Sequence, residues 1–422
     1  MKKSIFALIM LTAVCFCGVS CNVLDQYPHN AKPKEHMEYD DIPLLHRGLY
    51  TYSQYKPGFE GYLQNDFAGG DFTRGGTSTY ASPELWITDA ILPTSGWTSS
   101  PWQGYYTCLY QINEFIGLAE QYEGESDIDR MLGDAYYFRG LIYYNLVSKY
   151  RNVLIIREPT EAALANSPEA DGWAFVEENL EMALGRCAEF TDKHYVSTQA
   201  VKALMARTKL AQGKKADAAE LALELINDPL FELADFELIF RGEDNGEEIF
   251  TFLNDSEENG INFANNFYSQ ATYVPAPDVI NLFGSKDTRT NVSIMNDNGE
   301  IVLNKYHNKT TTNPIIISRL AEMYLIAAEG LGVNGGGVKY LNDLRAKRGL
   351  AAVSPKNDED LVIAVLDERR LEFLGEGFRW FDLVRTGRFT KEVDLPEKYM
   401  VFPIPQKEID LNPNLAQHKE WK

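Results

Sequence analysis

The stretch STQAVKALMARTKLAQGKKADAAELALELINDP, residues 197–229, decides the architecture. Its first half places Ala200, Ala203, Leu204, Ala206, Leu210 and Ala211 at intervals of three and four, so they share one face of a helix. Gly213, followed by Lys214 and Lys215, has the composition of a turn. Ala218 to Ile226 repeats the helical period, and Asp228-Pro229 stops it. Alanines stand where two helices must approach closely, so the unit is a helix pair that buries its apolar faces against neighbours. Moving outward, Ile128, Met131, Leu132, Ala135, Tyr136, Phe138, Leu141, Ile142 and Leu146 continue the same period, and Trp173 to Cys187 follows a Pro-broken connection. A second pair is expected from Ile315 to about Arg348, with Ala321, Leu325, Ala327 and Ala328 on its first helix and Val338, Leu341 and Leu344 on its second.

Helix-pair repeats are therefore expected near 128–187, 197–229 and 315–348, in units whose length and terminal proline resemble tetratricopeptide repeats. The fold class read from this pattern is mainly α, a helical repeat scaffold with an irregular, loop-rich portion carrying short β-hairpins. Two segments break the period. Residues 243–312 are rich in Asn, Asp, Gly and Thr, and Val292 to Met295 and Ile301 to Leu303 flank Asn296-Asp297-Asn298-Gly299 as in a hairpin. Residues 50–110 hold fourteen aromatics, although the whole chain is only 12% aromatic. Glycine pairs and the Ser/Thr/Pro scatter from Thr77 to Pro101 are expected to leave those aromatics on loops.

The 422 residues carry 61 acidic and 40 basic side chains, a formal net charge of −21, which disfavours nucleic acid as a partner because phosphate is repelled. Met1-Lys2-Lys3 and the apolar run Ser4 to Cys17 read as a signal peptide ending at Gly18-Val19-Ser20-Cys21. Residues 1–20 are expected to be removed and Cys21 to be lipidated. Residues 21–41 would then form a tether, and 42–422 a single domain. The remaining thiols, Cys108 and Cys187, are too few for a disulfide framework and are read as free and buried.

Catalytic motifs are missing. The six histidines show no metal-ligand spacing, and neither HExxH nor a nucleophile elbow occurs. Gly330 to Gly335 formally fits GxGxxG but follows a helix, so it reads as a turn. Glu247-Glu248 and Glu257-Glu258 read as solvated acidic loop. No spacing supports calcium, and neither a metal nor a cofactor is expected.

The C-terminal run DERRLEFLGEGFRWFDLVRTG, residues 367–387, resembles the signature of SusD/RagB-type proteins, the surface nutrient-binding lipoproteins of Bacteroidetes. Arg319 to Leu325, Asn342 to Arg345 and Tyr399 to Leu415 agree in order. Physically the signature is scaffold: Glu368, Arg369, Arg370, Glu372 and Arg379 recur at helical spacings around Leu371, Phe373 and Leu374, with the helix stopping near Gly377. The resemblance implies an outer-membrane, lipid-anchored, surface-facing protein without enzymatic activity. It implies oligosaccharide as ligand and a SusC-type TonB-dependent transporter as partner, over which the protein acts as a lid. Oligopeptide binding on the same architecture, a lipid-anchored glycoside hydrolase and a protein-only tetratricopeptide adaptor are the alternatives.

A sugar offers an apolar ring face and a hydroxyl rim, which flat aromatics and Asn, Asp or Arg suit. The candidate ligand residues, in the segments near 50–105 and 243–312, are Phe72, Arg74, Tyr80, Trp86, Trp97, Asn266, Tyr268 and Tyr273. Asn65 and Asp66 belong to the same region.

Overall fold

A computed structural model describes residues 36–54, 61–76, 85, 88–254, 267, 271–307 and 313–422. The leader, Cys21 and most of the tether lie outside the described residues. The chain divides into two units, Met1–Ile42 and Pro43–Lys422. Within the first, the described residues form one 3-10 turn, Tyr39–Asp41, where the Glu38 amide donates to Asp41 Oδ2 at 2.7 Å.

Among the described residues eleven helices run to seven or more residues: α1 Ile42–Ser53, α2 Gly61–Ala68, α3 Gly96–Ala119, α4 Ser126–Tyr150, α5 Glu169–Leu184, α6 Thr198–Ala211, α7 Lys215–Ile226, α8 Leu320–Leu331, α9 Gly337–Lys347, α10 Asp358–Glu372 and α11 Arg379–Arg385. Successive helices stack: α3 on α4, α4 on α5, α5 on α6, α6 on α7, then α7 on α8 and α8 on α9 and α10. The 197–229 unit folds as its pattern dictates. Ser197 Oγ caps α6 by accepting from the Ala200 amide at 3.1 Å. Ala218, Ala219 and Ala222 of α7 are buried with Ala321, Ala327 and Ala328 of α8. The backbones approach so closely that a Cβ on Gly330 would lie 2.6 Å from the Lys215 carbonyl oxygen. Gly330 therefore serves helix packing, as a turn after a helix and not as a nucleotide loop.

Six short strands make three antiparallel ribbons: β1 Phe72–Arg74 with β3 Tyr273–Pro275, β2 Glu248–Phe252 with β6 Ile315–Arg319, and β4 Ile294–Asp297 with β5 Glu300–Leu303. The β4–β5 hairpin closes on Asn298-Gly299, both with positive φ, as a two-residue turn requires. Val292 and Ser293, expected in its first strand, belong to the helical turn Thr290–Ser293.

Four expectations need correction. Among the described residues of 50–110, those at 50–53, 61–68 and 96–110 are helical, as parts of α1, α2 and α3. Pro101 sits inside α3 without breaking it, since the Trp97 carbonyl it cannot serve is taken by Gln64 Nε2 at 2.6 Å. Ile315–Arg319 is strand, not helix, because its β-branched run pairs with β2 before α8 begins. The signature helix ends at Glu372, five residues before Gly377. Glu247 and Glu248 are 0% and 2% exposed, so the pair is core and not a solvated loop. Glu257 and Glu258 lie outside the described residues.

Candidate ligand-binding site

Strands β1 and β3 bring the two aromatic segments together. Their register sets Phe72 opposite Pro275, Thr73 opposite Val274 and Arg74 opposite Tyr273. Phe72, at the buried start of β1, meets Phe67 and Phe267 with ring centroids 6.1 and 5.1 Å away. Tyr273 packs on Phe67 at 4.7 Å and on Phe267 at 6.1 Å, and Tyr306 adds its ring to Phe267 at 5.9 Å. All five rings are at most 3% exposed. Edge-on packing of this kind contributes about 0.5–1.5 kcal/mol per pair beyond simple burial, so the cluster is a rigid floor.

Phe72 and Tyr273, expected as ligand contacts, are thus buried in the floor, 2% and 3% exposed. A three-residue strand does not announce which of its side chains is buried. Arg74, at the end of β1, is exposed. Trp97 is half-buried in the first turn of α3 and not on a loop. Its indole stands edge-on to Phe67 and Tyr273, 6.5 Å from each. Ser95 Oγ accepts from its amide at 3.3 Å, and its carbonyl is held by Gln64. Backbone and ring are fixed while part of the indole stays accessible. Tyr80, Trp86, Asn266 and Tyr268 lie outside the described residues.

Below the floor, α2 docks on the turn after α10. Asn65 Nδ2 donates to the Gly377 carbonyl at 3.1 Å and Asp66 Oδ2 accepts from the Gly377 amide at 3.0 Å. Both side chains are at most 2% exposed, so neither is a ligand rim residue. Burial, reinforced by Asp71, raises the Asp66 carboxyl well above the ordinary range. Asp71 is also raised by burial, against the pull of Arg370, whose Nε bonds it at 2.8 Å. A carboxyl raised on folding makes the native state bind a proton that the unfolded state releases, so stability falls as pH rises above the unfolded value. Asp66→Asn keeps the acceptor without the charge. It is expected to raise the thermal midpoint more at pH 8 than at pH 4, and a scan at both pH values checks this.

The C-terminal signature closes a buried ionic hub. Glu372 Oε1 accepts from Arg319 Nη1 at 2.6 Å and Arg348 Nη2 at 2.8 Å, and Oε2 from Arg289 Nη1 at 2.8 Å. Glu376 bonds Arg319 Nη2 and Lys305 Nζ at 2.9 and 2.7 Å. Glu247 bonds Arg319 and Arg348 at 2.8 and 2.9 Å, and Asp287 bonds Arg289 at 2.8 Å. Every one of these side chains is at most 4% exposed. Surrounding guanidinium groups hold the Glu372 carboxyl well below its usual range despite desolvation. The hub is scaffold, as the spacing implied, although its partners Glu247, Arg289 and Lys305 carry no local signal.

Nothing in the described residues assembles nucleophile, base and substrate cleft. No group of three or more metal-ligating side chains occurs among them. Cys108 and Cys187 are free, the first buried and the second partly so. The Cys187 thiol is pushed up by burial and by Asp134, which suits an inert side chain. No helix among the described residues is long and apolar enough to cross a membrane. Sequence reasoning missed Gln64, whose role depends on a proline in another helix, and Phe67, signalled only by its place before Gly69-Gly70.

A sequence model of the SusD family matches residues 300–401, the stretch from β5 through the hub to the C-terminal turns. The SusD-like protein P38 of Formosa agariphila is 33% identical over 141 residues, 28% of this chain and 28% of that one. A SusD-like protein of Bacteroides ovatus is 23% identical across 94% of this chain and 84% of its own length. Among solved structures, a laminarin-binding SusD-like protein superposes with a TM-score of 0.78 at 24% identity, covering 91% of this chain and all of that one.

Proposed function

Because the chain belongs to the SusD/RagB family, we propose that it is a surface lipoprotein that binds oligosaccharide and passes it to a SusC-type TonB-dependent transporter. Cys21 would carry the lipid and residues 22–41 the tether. Binding without cleavage is the activity proposed, and the laminarin-binding structural relative supports it. The observation that carries the reading is Trp97, held half-exposed above a buried aromatic floor with exposed Arg74 on the adjoining ribbon. A flat indole suits the C–H face of a sugar ring, and a guanidinium suits its hydroxyls. Tyr80, Trp86, Asn266 and Tyr268 would complete the site. The laminarin-binding structural relative favours glycan over peptide.

Calorimetry of the soluble domain against laminarin oligosaccharides, other glucans and oligopeptides tests the proposal. Trp97→Ala is expected to weaken the glycan bound best by about tenfold, or roughly 1.4 kcal/mol. Trp97→Phe should retain most of the affinity. Unchanged affinity in Trp97→Ala would remove the platform, tight binding of peptides alone would replace the ligand class, and shortened oligosaccharides after incubation would make the protein an enzyme.

A further inference from the structure

Beside β2, away from the residues of the Trp97 platform, a cavity of about 350 Å³ is lined by Lys193, His194, Arg241 and His307, with Phe252 and Leu253 on its apolar side. Its size falls within the range of small-molecule sites, about 300–1,000 Å³. In a chain of net charge −21, one cavity thus collects two permanent cations and two of the six histidines. Among the described residues the acidic groups near them are Glu248, Glu237 and Asp192, whose Oδ1 accepts from the His194 amide at 2.8 Å. Lys193 Nζ pairs with Glu248 at 2.5 Å, and that carboxylate also accepts from Asn245 and Thr251. Glu237 lies 3.6 Å from Arg241 Nε and is largely exposed.

Several donors are uncommitted among the described residues. Arg241 gives Nη1 to the carbonyls of Asn304 and Lys305, leaving Nη2 without a partner there. His194 Nδ1 bonds the Thr251 carbonyl at 3.0 Å, so Nδ1 carries the hydrogen. Its Nε2 accepts when the ring is neutral and donates once it is protonated. His307 makes no hydrogen bond among the described residues. At neutral pH Lys193 and Arg241 balance Glu248 and Glu237. Protonation of His307, which has no hydrogen-bond partner among the described residues, adds one charge and one donor to this lining.

We propose that this cavity binds one carboxylate or sulfate group, and binds it more strongly in mildly acid than in neutral solution. The anion is either a free small ion or the acidic unit of a glycan; the recognition chemistry is the same. The site does not rest on the glycan reading, and its failure would leave the Trp97 platform untouched. Protonation and anion binding are linked, so an anion must raise the apparent pKa of His307. Burial and Arg241 lower it, a shift the anion would oppose.

The test follows the imidazole resonances of the domain by NMR while sodium sulfate, sodium glucuronate or glucose is added at constant ionic strength, at about pH 5.5 and about pH 7.5. Sulfate or glucuronate is expected to shift the His194 and His307 signals in a saturable way, with affinity at least about fivefold higher at the lower pH. Arg241→Gln and His307→Ala should each weaken it about fivefold or more. His307→Ala breaks no hydrogen bond among the described residues, so it separates loss of the site from loss of the fold. Sulfate alone identifies a free-ion site, and glucuronate identifies an acidic sugar unit; either upholds the proposal. Overturning results are no saturable shift at the lower pH, a response to glucose equal to that of glucuronate, or variants that bind as the parent does.

Discussion

Glu372→Gln is expected to lower the unfolding free energy by on the order of 3–5 kcal/mol at neutral pH, the usual cost of leaving a buried charge uncompensated. Three guanidinium groups converge on this carboxylate, and Arg289 and Arg348 are fully buried. The amide keeps the volume but presents donors where acceptors are needed. Urea unfolding should show a lower midpoint with an unchanged slope. Acid dependence gives a second readout. The Glu372 and Glu376 carboxyls are held low in the folded state, so their stabilisation is complete above the unfolded value near 4.5 and is lost as pH falls through the folded values. Glu329, held down to about 2 by Arg385, adds to the same window. The variant should therefore lose less on acidification than the parent. A loss below about 1 kcal/mol, in the range of exposed ion pairs, would mean that water reaches the hub.

Gly75→Ala has the second largest expected effect. A Cβ there would stand 1.7 Å from the Ala271 carbonyl oxygen, and the Gly75 amide itself donates to Thr272. Backbone cannot rotate aside as a side chain can, so β1 and β3 must part. The floor of Phe67, Phe72, Phe267 and Tyr273 then loses the ribbon that joins its halves. A loss of about 2–3 kcal/mol and of measurable oligosaccharide binding is expected. Gly76→Ala is the control, since its Cβ would meet only the Glu300 carboxylate at 3.4 Å. It should stay within about 0.5 kcal/mol and bind as the parent does. Equal behaviour of the two variants would show that the ribbon does not organise the site.

The helix pairs were legible because Ala218, Ala219, Leu225 and their counterparts recur at the helical period, and burial follows period. The sequence misled where one pattern serves two structures. Ile315-Ile316-Ile317 adjoins a true helix, and an apolar run does not say whether it will find a strand partner 65 residues earlier. Glu247 and Glu248 look solvated because their compensating charges, Arg319, Arg348 and Lys193, come from elsewhere in the chain. The candidate site was half legible. Composition located the two segments that meet, and the β1–β3 register joins them, but Phe72 and Trp97 differ in accessibility for reasons of strand facing and helix start that composition does not encode.

The hub also constrains the order in which the chain can fold. Helices α3 to α7 meet neighbours close in sequence and can pair as they emerge. Arg289, Lys305, Arg319 and Arg348 bring four positive charges against the two carboxylates of Glu247 and Asp287, and the excess has no buried partner until Glu372 and Glu376 arrive, some 125 residues after Glu247. Unpaired, each would bear a desolvation cost of several kcal/mol. The last quarter of the chain is therefore the keystone: a polypeptide lacking it is expected to keep the excess cations of the hub in water and its core incomplete.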